Sequence, residues 1–284
     1  MSRQFRAEVV SNERLNEEVF MLCLRPLSEV VRPSAGQFYM VGRSGALEGG
    51  AASGAAMVAA TFDPLLKRPF SCMDYGSDGL LHFMIKLHGR FTGILSACTP
   101  GTVLELIGPL GNGFPAVGTG EVLVVVAGGI GIASVAMLLR DYPESVLFYG
   151  VRSVGDLFVG KLPSVARVCV TSDDGSVGDK GNVLEQLHRY IVSTTSTATP
   201  GAIRVYACGP HAMTQRLCEM FASKDGDFPR VNGWTVEAFV SVEERMACGA
   251  AACLGCAVST VNGYRLACKD GPVFNVNDLN LGGS

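Results

Sequence analysis

Three cysteines fall within nine residues near the C-terminal end of this sequence, Cys248-Gly-Ala-Ala-Ala-Cys253-Leu-Gly-Cys256, and Cys268 follows after a further eleven. The spacing C-x4-C-x2-C-x11-C restricts the local fold severely, because four thiolates so placed can close around one soft metal centre. The x4 and x2 intervals are the plant-type arrangement for a 2Fe-2S cluster, in which each iron takes two thiolates. Gly, Ala and Leu fill the gaps. Such small residues let a loop wrap tightly and aim its amide N–H groups at the sulfurs. A zinc site would more naturally show two separated C-x2-C pairs, and the first cysteine breaks that pattern. The iron–sulfur reading therefore ranks above zinc, and zinc above four unrelated thiols. A cluster only moves electrons, so the rest of the chain must say between what.

Composition narrows the field. With 284 residues, 48% of them hydrophobic, 35 glycines and 17% charged, the chain reads as globular and loop-rich, with room for two or three domains. A net charge of −3 without a block of Lys or Arg predicts no nucleic-acid surface. The N-terminus lacks the apolar core of a signal peptide, so a cytoplasmic protein is expected. The six remaining cysteines, Cys23, Cys72, Cys98, Cys169, Cys208 and Cys218, are scattered singly as free buried thiols usually are. Val122–Leu139 runs eighteen residues without a charge, nominally enough for a membrane helix. Its internal Gly128-Gly129-Ile130-Gly131 instead predicts a buried strand, a glycine turn and a helix.

The N-terminal third reads as short strands at Phe5–Val10, Val19–Leu24, Gly36–Met40, Phe70–Met73, Leu80–Leu87 and Thr102–Ile107. Such spacing, without a helical period, predicts a small antiparallel barrel. The low-complexity stretch at 42–60 reads as a surface loop inserted between two barrel strands. Lys67-Arg68-Pro69-Phe70-Ser71 combines an arginine for a phosphate, an aromatic for a planar ring and a hydroxyl for a ring heteroatom. Taken alone the motif is short, and an exposed arginine before an edge strand is the better reading of it. A second polar turn, Ile85-Lys86-Leu87-His88-Gly89-Arg90-Phe91-Thr92, suits a diphosphate. Gly108-Pro109-Leu110-Gly111-Asn112-Gly113-Phe114 ends the domain in turn residues.

From about Gly120 strands and helices alternate. Strands are expected at Glu121–Ala127, Val146–Gly150, Arg167–Thr171 and Ile203–Ala207, with helices to about Tyr142 and over Asn182–Ile191 and His211–Ala222. Glycines at 128, 129 and 131 let backbone approach a phosphate at a helix N-terminus. Ser134 stands where a third fingerprint glycine belongs, so a ligand-free turn competes with this reading. Two further loops, Thr171–Gly175 and Ala207-Cys208-Gly209-Pro210, follow strands and so lie on the carboxyl edge where open α/β sheets bind ligands. Arg152 can meet a ribose or phosphate there, or stand as a solvated charge. A last strand, Glu237–Val242, enters the cysteine loop. A hairpin around Asn262-Gly263 then returns Cys268 to the metal.

These readings amount to an α+β multidomain chain. An N-terminal antiparallel β-barrel spans 1–115, a central α/β parallel-sheet nucleotide-binding domain 116–230, and a small C-terminal 2Fe-2S segment 231–284. The succession Arg-Pro-Phe-Ser, Gly-Pro-Leu-Gly-Asn-Gly-Phe, Gly-Gly-Ile-Gly and Cys-Gly-Pro resembles the ferredoxin–NADP reductase superfamily. The tail, Met246-Ala-Cys248-Gly through Cys268-Lys-Asp-Gly-Pro-Val-Phe274, is similar to the electron-transfer subunits of class 1B dihydroorotate dehydrogenases. The resemblance runs from Phe5 to Leu279. It implies a heterotetramer with a catalytic FMN-containing subunit that oxidises dihydroorotate. Electrons would pass through the 2Fe-2S cluster to FAD in this chain and then to NAD. By the same resemblance Arg68, Pro69, Phe70, Ser71, Ile85, Lys86, Leu87, Phe91 and Thr92 would hold FAD. Gly128, Gly129, Gly131, Cys208 and Gly209 would face NAD, and Cys248, Cys253, Cys256 and Cys268 would ligate the cluster.

Three departures stand out. Gly89-Arg90-Phe91-Thr92 replaces the family's Gly-x-Gly-Thr, so Phe91 is expected to cost backbone freedom at the diphosphate. The stretch at 42–60 and the length of the gap before Cys268 are the others. No catalytic constellation appears, and His82, His88, His188 and His211 form no metal set, which fits a subunit that needs a partner. Two rivals remain: a reductase subunit of a hydrogenase, sulfide/sulfite or bifurcating complex, and a zinc-stapled nucleotide-binding module.

Overall fold

The computed structural model describes residues 3–44, 64–163, 167–221 and 233–280. Most of the 42–60 stretch and the boundary expected at 230–231 lie outside them. The chain divides into two compact units, one from 1–33, 37–110 and 245–256, the other from 34–36, 111–244 and 257–284.

The first unit contains β1 (Arg3–Arg14), β2 (Val19–Pro26), β3 (Phe38–Arg43), β4 (Arg68–Ser71), β5 (Asp74–Tyr75), β6 (Leu81–Lys86), α1 (Gly89–Ser96) and β7 (Val103–Leu110). The strands pair antiparallel in the order β4-β3-β7-β1-β2-β6-β5. Laid flat, six gaps of about 4.8 Å would hold the outer strands ~29 Å apart. Yet only Cys72 and Met73 separate β4 from β5, and three Cα steps reach at most about 11 Å. The sheet must therefore curl into a barrel whose seam is crossed by the chain itself. β7 alternates half-buried and buried residues along its whole length, as a strand with one face on a core does. Inside, the Tyr39 ring stands edge-on to Phe5 at 6.0 Å and to Phe83 at 5.8 Å.

Two elements of this unit differ from expectation. β7 runs on to Leu110 where a turn was expected from Gly108, because the β3–β7 register shifts between Phe38 and Met40, opposite Pro109. That irregularity spares the ladder the N–H that proline lacks. Residues 89–96 form α1 where a polar turn was expected. Phe91, Thr92 and Leu95 are buried along it, and its ends are satisfied locally. The Thr92 hydroxyl accepts from His88 N at 2.7 Å, and the Asn12 amide of β1 donates to Leu95 O and Cys98 O, both at 2.9 Å.

The second unit contains β8 (Val122–Gly128), α2 (Ile132–Asp141), β9 (Val146–Val151), β10 (Arg167–Ser172), β11 (Asp179–Lys180), α3 (Val183–Thr197), β12 (Ala202–Cys208), α4 (His211–Phe221), β13 (Thr235–Ser241), β14 (Ala257–Thr260), β15 (Gly263–Leu266) and β16 (Val273–Asn275). Its main sheet has the order β11-β10-β9-β8-β12-β13-β16, parallel except for β16. From β8 the chain winds outward through β9 and β10, then returns to build β12 and β13 on the other side. The switch point of such a sheet lies between β8 and β12. The hairpin β14–β15 forms around Asn262-Gly263 as expected. The uncharged run at 122–139 is β8, a short 3-10 turn and α2. Among the described residues no helix is long and apolar enough to cross a membrane.

Candidate functional site

Arg68, Pro69, Phe70 and Ser71 make up β4, an outer strand of the barrel, and all four are half-buried. The Arg68 guanidinium donates to Leu66 O at 2.9 Å. Phe70 lies against Phe91 with ring centroids 6.3 Å apart and planes 25° from parallel. Ile85 is buried at the end of β6, while Lys86 points outward and pairs with Glu18 at 3.1 Å. Leu87 donates its N–H to Glu18 O. Gly89 opens α1 with φ +76°, and a Cβ there would meet nothing within 4 Å. The first turn of a helix presents unbonded N–H groups and a partial positive charge. β4 and this turn together suit a planar, phosphate-bearing cofactor. Phe91 sits within α1, in helical backbone that any residue adopts, so the expected cost in backbone freedom is not incurred.

At the switch point the structure brings Gly128, Gly129 and Gly131 beside Cys208 and Gly209. A Cβ on Gly131 would fall 2.4 Å from Cys208 O, and one on Gly128 would fall 2.7 Å from Pro210 Cδ. Those two glycines serve close packing of one turn on the other. Gly129, at φ +51°, faces open space and is the one that leaves backbone accessible. Cys208 is buried, and burial pushes its thiol up to about 12. Arg152 is held by Asp156, Nε to Oδ2 at 2.9 Å and Nη2 to Oδ1 at 3.3 Å. Near the carboxyl end of β10 the Thr171 hydroxyl is buried without a hydrogen-bond partner.

The cysteine loop of the first unit has an unusual backbone. Gly249, Ala251 and Leu254 all lie in the left-handed region, at φ 66°, 59° and 58°. For Ala and Leu that conformation is strained, and such strain collects at ligand sites. Within this loop two amides face the first sulfur. Ala250 N and Cys253 N donate to Cys248 Sγ at 3.3 and 3.5 Å, and they pull the Cys248 thiol down to about 6. Gly249 lies against the barrel, where a Cβ would come 2.6 Å from Met40 Cγ. Cys256 is buried and Cys253 exposed. Cys268, also buried, belongs to the second unit. Among the described residues no three His, Cys, Asp or Glu side chains are gathered closely enough to hold a metal ion. The donor chemistry nevertheless suits an anionic iron–sulfur centre, because amides aimed at a thiolate stabilise negative charge.

Comparison with known proteins bears on this arrangement. Residues 243–280 match the model of the iron-sulfur cluster binding domain of dihydroorotate dehydrogenase B. Over 279 residues the chain is 31% identical to the dihydroorotate dehydrogenase B (NAD(+)) electron transfer subunit of Caldanaerobacter subterraneus subsp. tengcongensis, spanning 96% of this chain and 97% of that one. The subunit of the same name from Clostridium acetobutylicum is 30% identical over 284 residues, with 99% of each covered. This chain belongs to the family of dihydroorotate dehydrogenase B electron-transfer subunits. It is thus a subunit of an oxidoreductase, and it works with a catalytic partner subunit. A solved structure of NADH-dependent reduced ferredoxin-NADP oxidoreductase superposes with a TM-score of 0.73 at 25% identity, covering 97% of this chain and 90% of that one. A ferredoxin NADP+ reductase from Neisseria gonorrhoeae, at 17% identity and TM-score 0.56 over 83% of this chain and 98% of that one, shares the fold.

Two residues that support the cluster segment escaped the sequence reading. The Asn112 side chain donates to Lys269 O and Asp270 O, both at 3.1 Å. The Asp270 carboxylate accepts from Leu266 N at 2.8 Å. Between them they pin the turn that carries Cys268. Their signals were present, Asn112 in the glycine-rich run read as a boundary and Asp270 in the tail read as a family mark, but neither suggests a partner more than a hundred residues away.

Proposed function

We propose that this chain carries electrons from the FMN of a catalytic dihydroorotate dehydrogenase subunit to NAD+ in the cytoplasm, within a heterotetramer of two subunits of each kind. When bound, the 2Fe-2S cluster and FAD would supply one-electron and hydride chemistry respectively. The single observation that carries the reading is the cysteine loop, whose strained backbone aims two amides at Cys248 Sγ. Cys248, Cys253, Cys256 and Cys268 hold the cluster. Arg68 and the first turn of α1 take the flavin diphosphate, with Thr92 fixing that turn. Phe70 and Ser71 would hold the isoalloxazine end, with Pro69 and the backbone of Ile85, Lys86 and Leu87 beside them, since the Ile85 side chain is buried and that of Lys86 is paired with Glu18. Gly129 admits the NAD diphosphate beside Cys208 and Gly209, while Gly128 and Gly131 hold the two turns together. The barrel is then the flavin domain and the parallel sheet, with β13 and β16 from the expected 231–284 segment, the NAD domain; the cluster segment reduces to the cysteine loop and the turn that carries Cys268.

The rival in which the chain serves a bifurcating or other reductase complex shares this fold, and the family match over 243–280 favours the dihydroorotate reading. Replacing Cys253 by Ser tests it. In the complex with the catalytic subunit, dihydroorotate-dependent NAD+ reduction should be lost while NADH-driven reduction of an artificial acceptor persists. Undiminished NAD+ reduction would overturn the electron path.

A further inference from the structure

We propose that Phe91 is a positioning residue that locks the two ends of the flavin site to each other; the inference rests on the flavin reading of 68–92. Phe70 stands on β4, a four-residue outer strand that among the described residues pairs with β3 alone. The only aromatic ring of that strand is half-buried. Phe91 stands in the first turn of α1, an eight-residue helix. So short a helix has little stability of its own and depends on what it packs against. The two rings meet nearly parallel, 25° apart at 6.3 Å between centroids, an offset-stacked arrangement that aromatic pairs favour. Phe91 itself is only 5% exposed, so its ring is a buttress rather than a surface offered to ligand. Phe70 retains exposed area. The stack therefore fixes the distance from the ring that meets isoalloxazine to the helix turn that meets diphosphate. A site with both ends held in place before binding loses less entropy when it binds.

The test uses the full chain stripped of flavin and titrated with FAD, following affinity and the fluorescence and visible circular dichroism of the bound flavin. Phe91→Leu keeps an apolar, helix-compatible side chain and removes the flat ring. FAD affinity should fall about fivefold, the scale of one aromatic pair, and the bound flavin should become more fluorescent with a weaker dichroic band. A purely structural role would lower the melting temperature of the stripped chain without changing those two optical signals. A Phe91→Leu chain that binds FAD with wild-type affinity and wild-type optical signals would overturn the proposal. If Phe91→Leu fails to fold, Phe91→Met, similarly flexible and apolar, answers the same question. Phe70→Ala separates the premises: wild-type chain that takes up no FAD, or a Phe70→Ala chain that binds it as well as wild type, would refute the flavin reading itself.

Discussion

Gly131 is held to glycine by a carbonyl, since the Cβ of any other residue would stand 2.4 Å from Cys208 O and 2.8 Å from Gly209 N. Backbone cannot yield as a flexible side chain does, so Gly131→Ala should cost about 1–3 kcal/mol by overpacking. Chemical denaturation would show it, together with weaker NADH binding as the two turns separate. Cys208 itself has a pH signature. Burial raises its pKa from the ordinary 9.0 to about 12, so the folded state keeps the proton that the unfolded state loses. Stability from this group is complete below about pH 9 and declines as pH rises from there towards 12. Native Cys208 should accordingly resist iodoacetamide at pH values where the unfolded chain reacts, as mass spectrometry of the labelled peptide would show. The sequence reveals Gly128–Gly131 as a turn and Cys208-Gly209 as another. Their backbone-to-backbone packing was hidden, because only the placement of β12 beside β8 brings together residues so far apart in the chain.

Among the elements, the parallel strands were the most legible, since strands covered on both faces read as continuous apolar runs. α1 was the least legible: eight residues with glycines at 89 and 93 show no period, and the helix exists because Phe91, Thr92 and Leu95 find a core. The two- and three-residue strands β5, β11 and β16 carry no pattern of their own and form only where a neighbour's edge is offered. At the amino ends of β8, β12 and β13, Arg204 bonds Glu121 twice, at 3.0 and 3.1 Å, and Glu237 at 2.8 Å. A planar guanidinium joining carboxylates of both neighbouring strands is a fork that lysine cannot reproduce. Arg204→Ala should lower stability by roughly 1–2 kcal/mol, measured by urea unfolding. Hydrogen bonding to Arg204 lowers the Glu121 pKa below its ordinary 4.5. That contribution is therefore present above 4.5 and disappears as pH falls further, so wild type and Arg204→Ala should converge in acid.

For the whole molecule, the order of the second sheet sets a switch point at β8 and β12, while the first curls into a barrel because two residues join its outer strands. Both architectures were legible from turn spacing and from the change of hydrophobic period near Gly120. The cysteine spacing announced the cluster segment, but the left-handed Ala251 and Leu254 were not foreseeable, because neither residue type favours that backbone. Such local disagreement between residue and conformation is expected where a ligand site overrides propensity. One chain thus joins a flavin, an iron–sulfur centre and a nicotinamide nucleotide in a single electron path. That path is tested most directly by the anaerobic visible spectrum of the purified chain before and after NADH. Flavin bands over a broad iron–sulfur envelope, both bleached by NADH, are the predicted result; a colourless protein that binds zinc, or bands that NADH leaves unchanged, would contradict it.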